Sequence, residues 1–130
     1  ETLFVNNFIG SSNLLPGVVA ARAGDQHRVV LDGGAAWTVL SHKDFPIGSR
    51  VLVSVRPEQL VLHEEASAER VPVTVVFGMP IAGAVIHDVT CVDGTQIKIS
   101  ATRRGSETFA SGTSLYCGLA PAVQLNLFPT

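Results

Sequence analysis

The sequence lacks the charge that a nucleic-acid-binding protein needs. Its nine Lys and Arg residues are outnumbered by eleven Asp and Glu residues, which gives a formal net charge of −2. No broad positive field is therefore available to attract phosphate backbones. Aromatic residues make up only 6% of the chain, and such a chain offers little surface on which unpaired bases can stack. We expect no nucleic acid as a partner.

Long apolar runs are also missing, although hydrophobic residues make up 46% of the chain. A charged residue, Gly or Pro interrupts every apolar run well short of the roughly 20 residues that a membrane-spanning helix requires. The first residues lack a basic start followed by an apolar run, so no signal peptide is predicted. The sequence has no initiating methionine, since its only methionine is Met79. We therefore expect the chain to be a fragment of a longer protein, with the chemistry in the missing part.

Cysteines are scarce and widely separated. Cys91 and Cys117 are the only two, and both lie in apolar, alternating surroundings. Metal-binding and redox cysteines usually occur as close pairs. We therefore interpret both as reduced core residues, and a disulfide stays open if their strands are neighbours.

Sequence motifs for catalysis, metal binding and nucleotide binding are absent. The sequence has no Cys-x-x-Cys, no close pair of histidines and no Gly-x-Ser-x-Gly, and it thus lacks common signatures of metal sites and serine nucleophiles. The GMPIAG segment at Gly78 to Gly83 lacks the Lys-Ser/Thr ending of a phosphate-binding P-loop. We expect no catalytic residue, no metal and no cofactor in this chain, and we expect His87-Asp88 to mark a strand edge.

Nearly all of the chain after residue 10 has the pattern of short β-strands. In Val51 to Val55 every second residue is a valine, which is the period of a strand with one buried face. Turns containing Gly, Asp or Pro separate similar segments along the chain. In Thr2 to Gly10, Phe4 and Phe8 stand four apart, and this spacing predicts a short N-terminal helix.

The two halves of the β region repeat one another. Phe45, Gly48 and Pro57 match Phe109, Gly112 and Pro121 at a constant separation of 64, and LDGG at 31–34 matches VDGT at 92–95 at a separation of 61. A repeated unit of five short strands predicts small antiparallel barrels, because closure removes exposed strand edges. The predicted fold class is all-β, with tandem OB-like barrels and an N-terminal helix at 1–10. The predicted divisions are a first half at 11–63, a linker at 64–70 and a second half at 71–130.

The segment Arg56-Pro57-Glu58 interrupts the most regular strand pattern. Pro57 has its repeat counterpart in Pro121, so these two prolines are predicted to be structural turns, as are the paired glycines Gly48 and Gly112. Arg56 and Glu58 have alanines as counterparts. They are the candidate interface or regulatory residues, with an exposed ion pair as the alternative.

Three segments carry a resemblance to a known family. They are FVNNFIGSSNLLPGVV at Phe4 to Val19, VSVRPEQLVL at Val53 to Leu62, and VPVTVVFGMPIAG followed by VDGTQIKI. Together they resemble the C-terminal regulatory domain, with its transport-associated OB (TOBE) module, of ATP-binding subunits from ABC importers of polyamines and ferric iron. GMPIAG and APAVQL depart from the usual family pattern, which puts the transported solute in doubt.

The resemblance implies a non-catalytic regulatory and dimerisation domain. ATP and magnesium would belong to an absent nucleotide-binding domain. The implied partners are a second copy of the chain, the membrane subunits of the transporter, and a small solute or regulator. The implied location is cytoplasmic, at the membrane periphery and without insertion. The alternative is a free-standing tandem OB module that binds a small oxyanion of the molybdate type.

Overall fold

The computed structural model describes residues 12–81, 83–102 and 109–130. The predicted helix at 1–10 lies outside these residues. Within them no helix combines the length and apolar character needed to span a bilayer. The regular elements are strands and one 3-10 helix at Pro57–Gln59. The strands are β1 (Asn13–Ala23), β2 (Gln26–Leu31), β3 (Ala36–Leu40), β4 (Arg50–Val55), β5 (Leu60–His63), β6 (Val71–Ile81), β7 (Ala84–Cys91), β8 (Gln96–Thr102), β9 (Ser114–Leu119) and β10 (Asn126–Pro129).

The strands form two antiparallel sheets of the same design. Their orders are β10-β4-β1-β2-β3 and β5-β9-β6-β7-β8. In the first sheet β1, β2 and β3 form a meander and β4 pairs with β1; in the second sheet β6, β7 and β8 form the meander and β9 pairs with β6. The fifth strand of each sheet, β10 or β5, lies near the third strand of the meander without pairing with it. This is the partly open five-stranded barrel of an OB-fold. The predicted all-β, tandem OB-like fold is confirmed.

Each half of the sequence contributes its last strand to the other sheet. β5 follows β4 in the chain but pairs with β9, whereas β10 pairs with β4. The first barrel is therefore β1–β4 with β10, and the second barrel is β6–β9 with β5. Buried residues from both barrels form one continuous hydrophobic cluster. Residues 64–70 connect β5 to β6, and the division of the chain there stays a prediction.

Inward positions are filled mainly by β-branched residues, which pack well on a pleated surface. β7 shows the alternation most regularly, because every second side chain from Val85 to Cys91 is buried. The fully buried valines come from both barrels; they are Val19, Val29, Val39, Val51, Val53, Val55, Val71, Val75 and Val89. The period of two seen in the sequence therefore corresponds to the inner faces of the two barrels.

The repeat is visible in backbone hydrogen bonds before the fourth strand of each barrel. The N–H groups of Gly48 and Gly112 donate to the carbonyl oxygens of Val19 and Val75, both at 2.7 Å. The two glycines have φ angles of +93° and +89°, a region that glycine adopts without steric cost. The separation of 64 between these glycines therefore joins residues in equivalent positions.

The predicted match of LDGG at 31–34 with VDGT at 92–95 is wrong by one residue. Gly34 N–H donates to the Leu31 oxygen at 3.0 Å, and Gly94 N–H donates to the Cys91 oxygen at 2.9 Å. The equivalent turns are thus 60 residues apart, not 61. In both turns the glycine at the fourth position has a positive φ. This conformation defines the equivalent residues of the two turns, whereas the shared Asp-Gly dipeptide does not.

The first strand of each barrel also carries a β-bulge at the same place. In β1 the register shifts between Val19 and Ala21, and in β6 it shifts between Val75 and Phe77. Ala21 and Phe77 are consequently equivalent residues of the two barrels. Residues beyond the bulge can be compared position by position.

Cys91 and Cys117 are free and buried. Cys91 lies on β7 and Cys117 on β9, and β6 separates these strands. Strands two places apart are about 9.6 Å from each other, farther than the roughly 7 Å limit for Cα atoms joined by a disulfide. Burial raises the pKa of Cys91 to about 11 and that of Cys117 to about 12. The thiols are therefore poor nucleophiles at neutral pH.

Candidate functional sites

The candidate pair Arg56 and Glu58 lies where the chain crosses from the first barrel to the second. Arg56 Nε donates to Glu58 Oε2 at 2.7 Å, and about half of each side chain is exposed. The hydrogen bond from Arg56 lowers the pKa of Glu58. The structure thus brings the two residues together as an exposed ion pair, which contributes at most about 1 kcal/mol to stability.

Gln59, which the sequence interpretation missed, ties together the two chain crossings. Its Oε1 accepts from the Arg56 N–H at 2.7 Å, and its Nε2 donates to the Gln124 carbonyl oxygen at 3.0 Å. Its own carbonyl oxygen accepts from the Ala120 N–H at 2.8 Å. A Gln three residues after the start of a helical turn is a capping signal. The three-residue spacing of Arg56 and Gln59 in the RPEQ segment is the sequence signal that could have identified Gln59.

The two prolines lie at the two chain crossings. Pro57 begins the 3-10 helix between β4 and β5. Pro121 begins a turn between β9 and β10, in which Ala122 has a φ of +59°. The crossings therefore correspond in position but differ in backbone conformation.

A pocket of about 800 Å³ lies at the open seam of the first barrel, between β3 and the segment that leads into β10. Ligands of OB-folds commonly bind at this side of the barrel, near strand 3 and the loops beside it. We name it the seam pocket. Its lining consists of Asp25, Gln26, Thr38, Val39, Leu40, Ser41, His42, Gln59, Val123, Gln124, Leu125 and Asn126.

The chemistry of the seam pocket favours a ligand that donates hydrogen bonds. Its one carboxylate, Asp25, accepts a hydrogen bond from His42 Nδ1 at 3.1 Å. The remaining polar groups are amides and hydroxyls, and neither Lys nor Arg lines the described pocket. An amine or another small cation fits this environment better than an anion does.

A second pocket, of about 370 Å³, is lined by one cationic and one anionic residue, Arg70 and Glu69. We name it the crossover pocket; it is lined by Trp37, Val61, His63, Ser67, Glu69, Arg70, Gly118, Leu119 and Pro121. A Cβ at Gly118 would lie 3.2 Å from Arg70 Cγ and 3.5 Å from His63 Cδ2, so glycine leaves room for both side chains. Burial, and then Arg70, lower the pKa of His63. Arg70 gives this pocket a cationic group for a small anion.

Two buried histidines occupy equivalent positions in the barrels. His27 packs edge-on against Phe45 with ring centroids 5.8 Å apart, and His87 packs against Phe109 at 5.6 Å. His87 lies in the middle of β7, which pairs on both sides, so the prediction that it marks a strand edge is wrong. The ring contact with phenylalanine gives each histidine an apolar neighbour at its inward position. Across 12–81, 83–102 and 109–130, no three His, Cys, Asp or Glu residues are grouped to hold a metal.

Sequence comparison finds homologues among importer subunits. No protein-family model matches the chain. The chain is 33% identical over 99 residues to the spermidine/putrescine import ATP-binding protein PotA of Methylococcus capsulatus, covering 75% of the chain and 26% of that protein. It is 26% identical over 117 residues to PotA 1 of Pseudomonas aeruginosa, covering 90% and 32%. The chain thus spans about a quarter to a third of the length of these relatives.

Structural comparison finds the same fold in a known binding protein. The cytoplasmic molybdate-binding protein ModG, solved with molybdate bound, matches with a TM-score of 0.71 at 17% identity, covering 91% of this chain and 96% of that one. At this identity the match establishes the fold. Combined with the two homologues, it confirms the resemblance found in the three sequence segments. The chain is thus homologous to the C-terminal, transport-associated OB (TOBE) type regions of ABC importer ATP-binding subunits of the PotA kind and shares the tandem OB fold of ModG.

Proposed function

We propose that this chain is the non-catalytic regulatory and dimerisation domain of the ATP-binding subunit of an ABC importer for polyamines or ferric iron. The observation that carries the proposal is homology to two spermidine/putrescine import ATP-binding proteins across a region built from OB-like barrels. ATP and magnesium would bind to the nucleotide-binding domain, outside this chain. The whole protein would act in the cytoplasm, bound to membrane subunits of the transporter.

The architecture supports a non-catalytic role. Phosphate-binding loops place their N–H groups at the N-terminus of a helix, whereas Gly78 to Ile81 lie in β6 and pair with β7. The described residues contain no helix longer than the 3-10 helix at Pro57–Gln59. We therefore expect neither ATP binding nor hydrolysis by the chain.

Titration calorimetry with ATP and a phosphate-release assay test this part of the proposal. The expected results are no binding heat and no hydrolysis above background. Measurable hydrolysis that survives repurification would contradict the non-catalytic role. Light scattering at rising protein concentration tests dimerisation, and a mass that stays at one chain throughout would contradict it.

The regulatory part of the proposal places solute sensing in the seam pocket. Its carboxylate and amide oxygens match the ammonium groups of a polyamine, and Val123 and Leu125 offer apolar contact for methylene groups. Asp25→Asn removes the only carboxylate of the pocket. Asp44→Asn is the matched control, since Asp44 is exposed, pairs with Arg22 and does not line the pocket. Spermidine should raise the melting temperature of the wild type and of the control but not of Asp25→Asn.

A second candidate function is oxyanion binding by a tandem OB module. The fold shared with ModG and the Arg70 side chain in the crossover pocket favour it. A ligand that binds only the folded state raises apparent stability, so melting curves with molybdate, tungstate, sulfate and spermidine separate the candidates. Stabilisation by molybdate that is lost in Arg70→Met supports the oxyanion module. Stabilisation by spermidine alone supports the regulatory domain.

A further inference from the structure

The hairpin of β6 and β7 exposes apolar side chains on the outer face of the second barrel. Phe77 and Met79 are 45% and 46% exposed, and Ile86 is the cross-strand neighbour of Met79. We name these three residues the hairpin patch. The chain carries no Asp, Glu, Lys or Arg from Val71 to His87. Contiguous apolar surface of this kind often marks an interaction site.

The first barrel shows that the fold does not require the patch. Its β1–β2 hairpin has the same bulge and the same three residue pairs directly beyond it, and it ends two pairs earlier than the β6–β7 hairpin. The positions equivalent to the three patch residues hold Ala21, Ala23 and Gln26. Since the bulge and the three pairs after it form in the first hairpin with small or polar residues, the pairing of β6 with β7 at these positions does not explain the apolar residues of the second hairpin.

A groove lies next to the patch on the same side of the barrel. It has a volume of about 330 Å³ and is lined by Val76, Phe77, Asp88, Val89, Gln96, Ile97 and Lys98. Met79 lies two residues along β6 from Phe77, which borders the groove. A projecting side chain and a groove on one face can be self-complementary, because a two-fold axis that brings the side chain of one copy to the groove of the second also brings the side chain of the second copy to the groove of the first.

The charges around the groove also permit contact between two identical faces. Asp88 and Lys98 form a salt bridge of 2.7 Å at its rim, so the face carries one charge of each sign. A second copy therefore brings no excess of like charge to a contact between two such faces.

Contact between faces is favoured over extension of the sheet. Pairing of β6 with β9 ends at Thr74, which leaves the later part of β6 with a free outer edge among the described residues. The bulge after Val75 twists this edge, and Pro80 has no N–H to donate. Both features oppose the addition of a strand.

We propose that the hairpin patch and the neighbouring groove form the surface through which two copies of this chain associate about a two-fold axis. This inference rests on the proposed dimerisation function and assigns it a surface. Specific interfaces usually bury about 800 Å² on each partner, more than three partly exposed side chains supply. The dimer is therefore weak, and the fraction of chains in the dimer rises with protein concentration.

Sedimentation equilibrium from micromolar to millimolar concentration tests the surface. Phe77→Ser should weaken dimerisation at least tenfold, whereas Ala21→Ser, at the equivalent position of the first barrel, should leave it unchanged. Far-ultraviolet circular dichroism establishes that each variant is folded. If Phe77→Ser does not fold, Met79→Glu takes its place, since it puts like charges into a symmetric contact.

Disulfide trapping gives an independent measurement. Cys91 and Cys117 are buried, so Met79→Cys introduces the one exposed thiol of the described chain. Under mild oxidation it should form a covalent dimer faster than Ala23→Cys does. Equal rates, or a dimer that survives Phe77→Ser, would overturn the proposed surface while leaving the dimerisation function standing. A wild type that is monomeric at every concentration contradicts dimerisation itself.

Discussion

The imidazole ring of His87 packs against the phenyl ring of Phe109, with ring centroids 5.6 Å apart. Neither of its ring nitrogens hydrogen bonds to a described residue. Burial lowers the pKa of His87 below its usual value. A buried imidazole without partners is stable only in its neutral form, so this contact links the packing of the second barrel to pH.

The first prediction concerns pH. The unfolded chain binds a proton at His87 more readily than the folded chain does, so stability decreases as pH falls through about 6.5 and towards the lowered folded pKa. Urea unfolding at pH 7.5 and at pH 5 measures the loss. His87→Phe should reduce it, because the substitution removes the titrating ring while keeping an aromatic side chain beside Phe109. A pH dependence that is the same in the wild type and the variant would contradict the prediction.

The second prediction concerns the paired glycines. Gly112→Ala places a Cβ at a φ of +89° in open space, so its cost is backbone strain alone, about 1–2 kcal/mol. Gly48→Ala, at the equivalent turn, should cost a similar amount. Gly112→Asn should cost less because asparagine adopts positive φ more readily. Chemical denaturation provides the measurement, and an alanine variant as stable as wild type would refute the strain argument.

The third prediction concerns Gln59. Gln59→Ala removes the hydrogen bonds to the Arg56 N–H and to the Gln124 carbonyl oxygen. We expect the free energy of unfolding to fall by about 1–2 kcal/mol. Glu58→Ala is the neighbouring control and should change it by less than about 1 kcal/mol. Equal losses in the two variants would show that Gln59 does not hold the crossings together.

The fourth prediction concerns the exposed ion pair. Arg56→Ala combined with Glu58→Ala should lower the free energy of unfolding by no more than about 1 kcal/mol. We also expect the double variant to dimerise as the wild type does, because the pair lies outside the hairpin patch. Loss of dimerisation at unchanged stability would transfer the interface from the hairpin patch to these two residues.

Much of the fold is predictable from local patterns. The alternation from Val51 to Val55 identifies β4 correctly, since a period of two depends only on which face is buried. The constant separation between Gly48 and Gly112 identifies equivalent turns, because a positive φ selects glycine in both. These features are local, and each depends on a few neighbouring residues.

The remaining features depend on contacts between distant residues. The pairing of β5 with β9 and of β10 with β4 has no local signature. Each of these short strands has an alternating hydrophobic pattern that would fit either barrel. The sequence shows that Phe77 and Met79 are apolar, but only the bulge shared by the two hairpins shows which residues of the first hairpin are their equivalents. The two pockets combine residues from separate segments of the chain and likewise require the fold.

The most direct test of the central claim, that this chain is a dimerisation domain, is the mass of the wild-type chain by sedimentation equilibrium as concentration rises. We expect a reversible shift from one chain to two, with no further growth, since a two-fold interface is closed. A mass of one chain up to millimolar concentration would show that the chain is not a dimerisation domain.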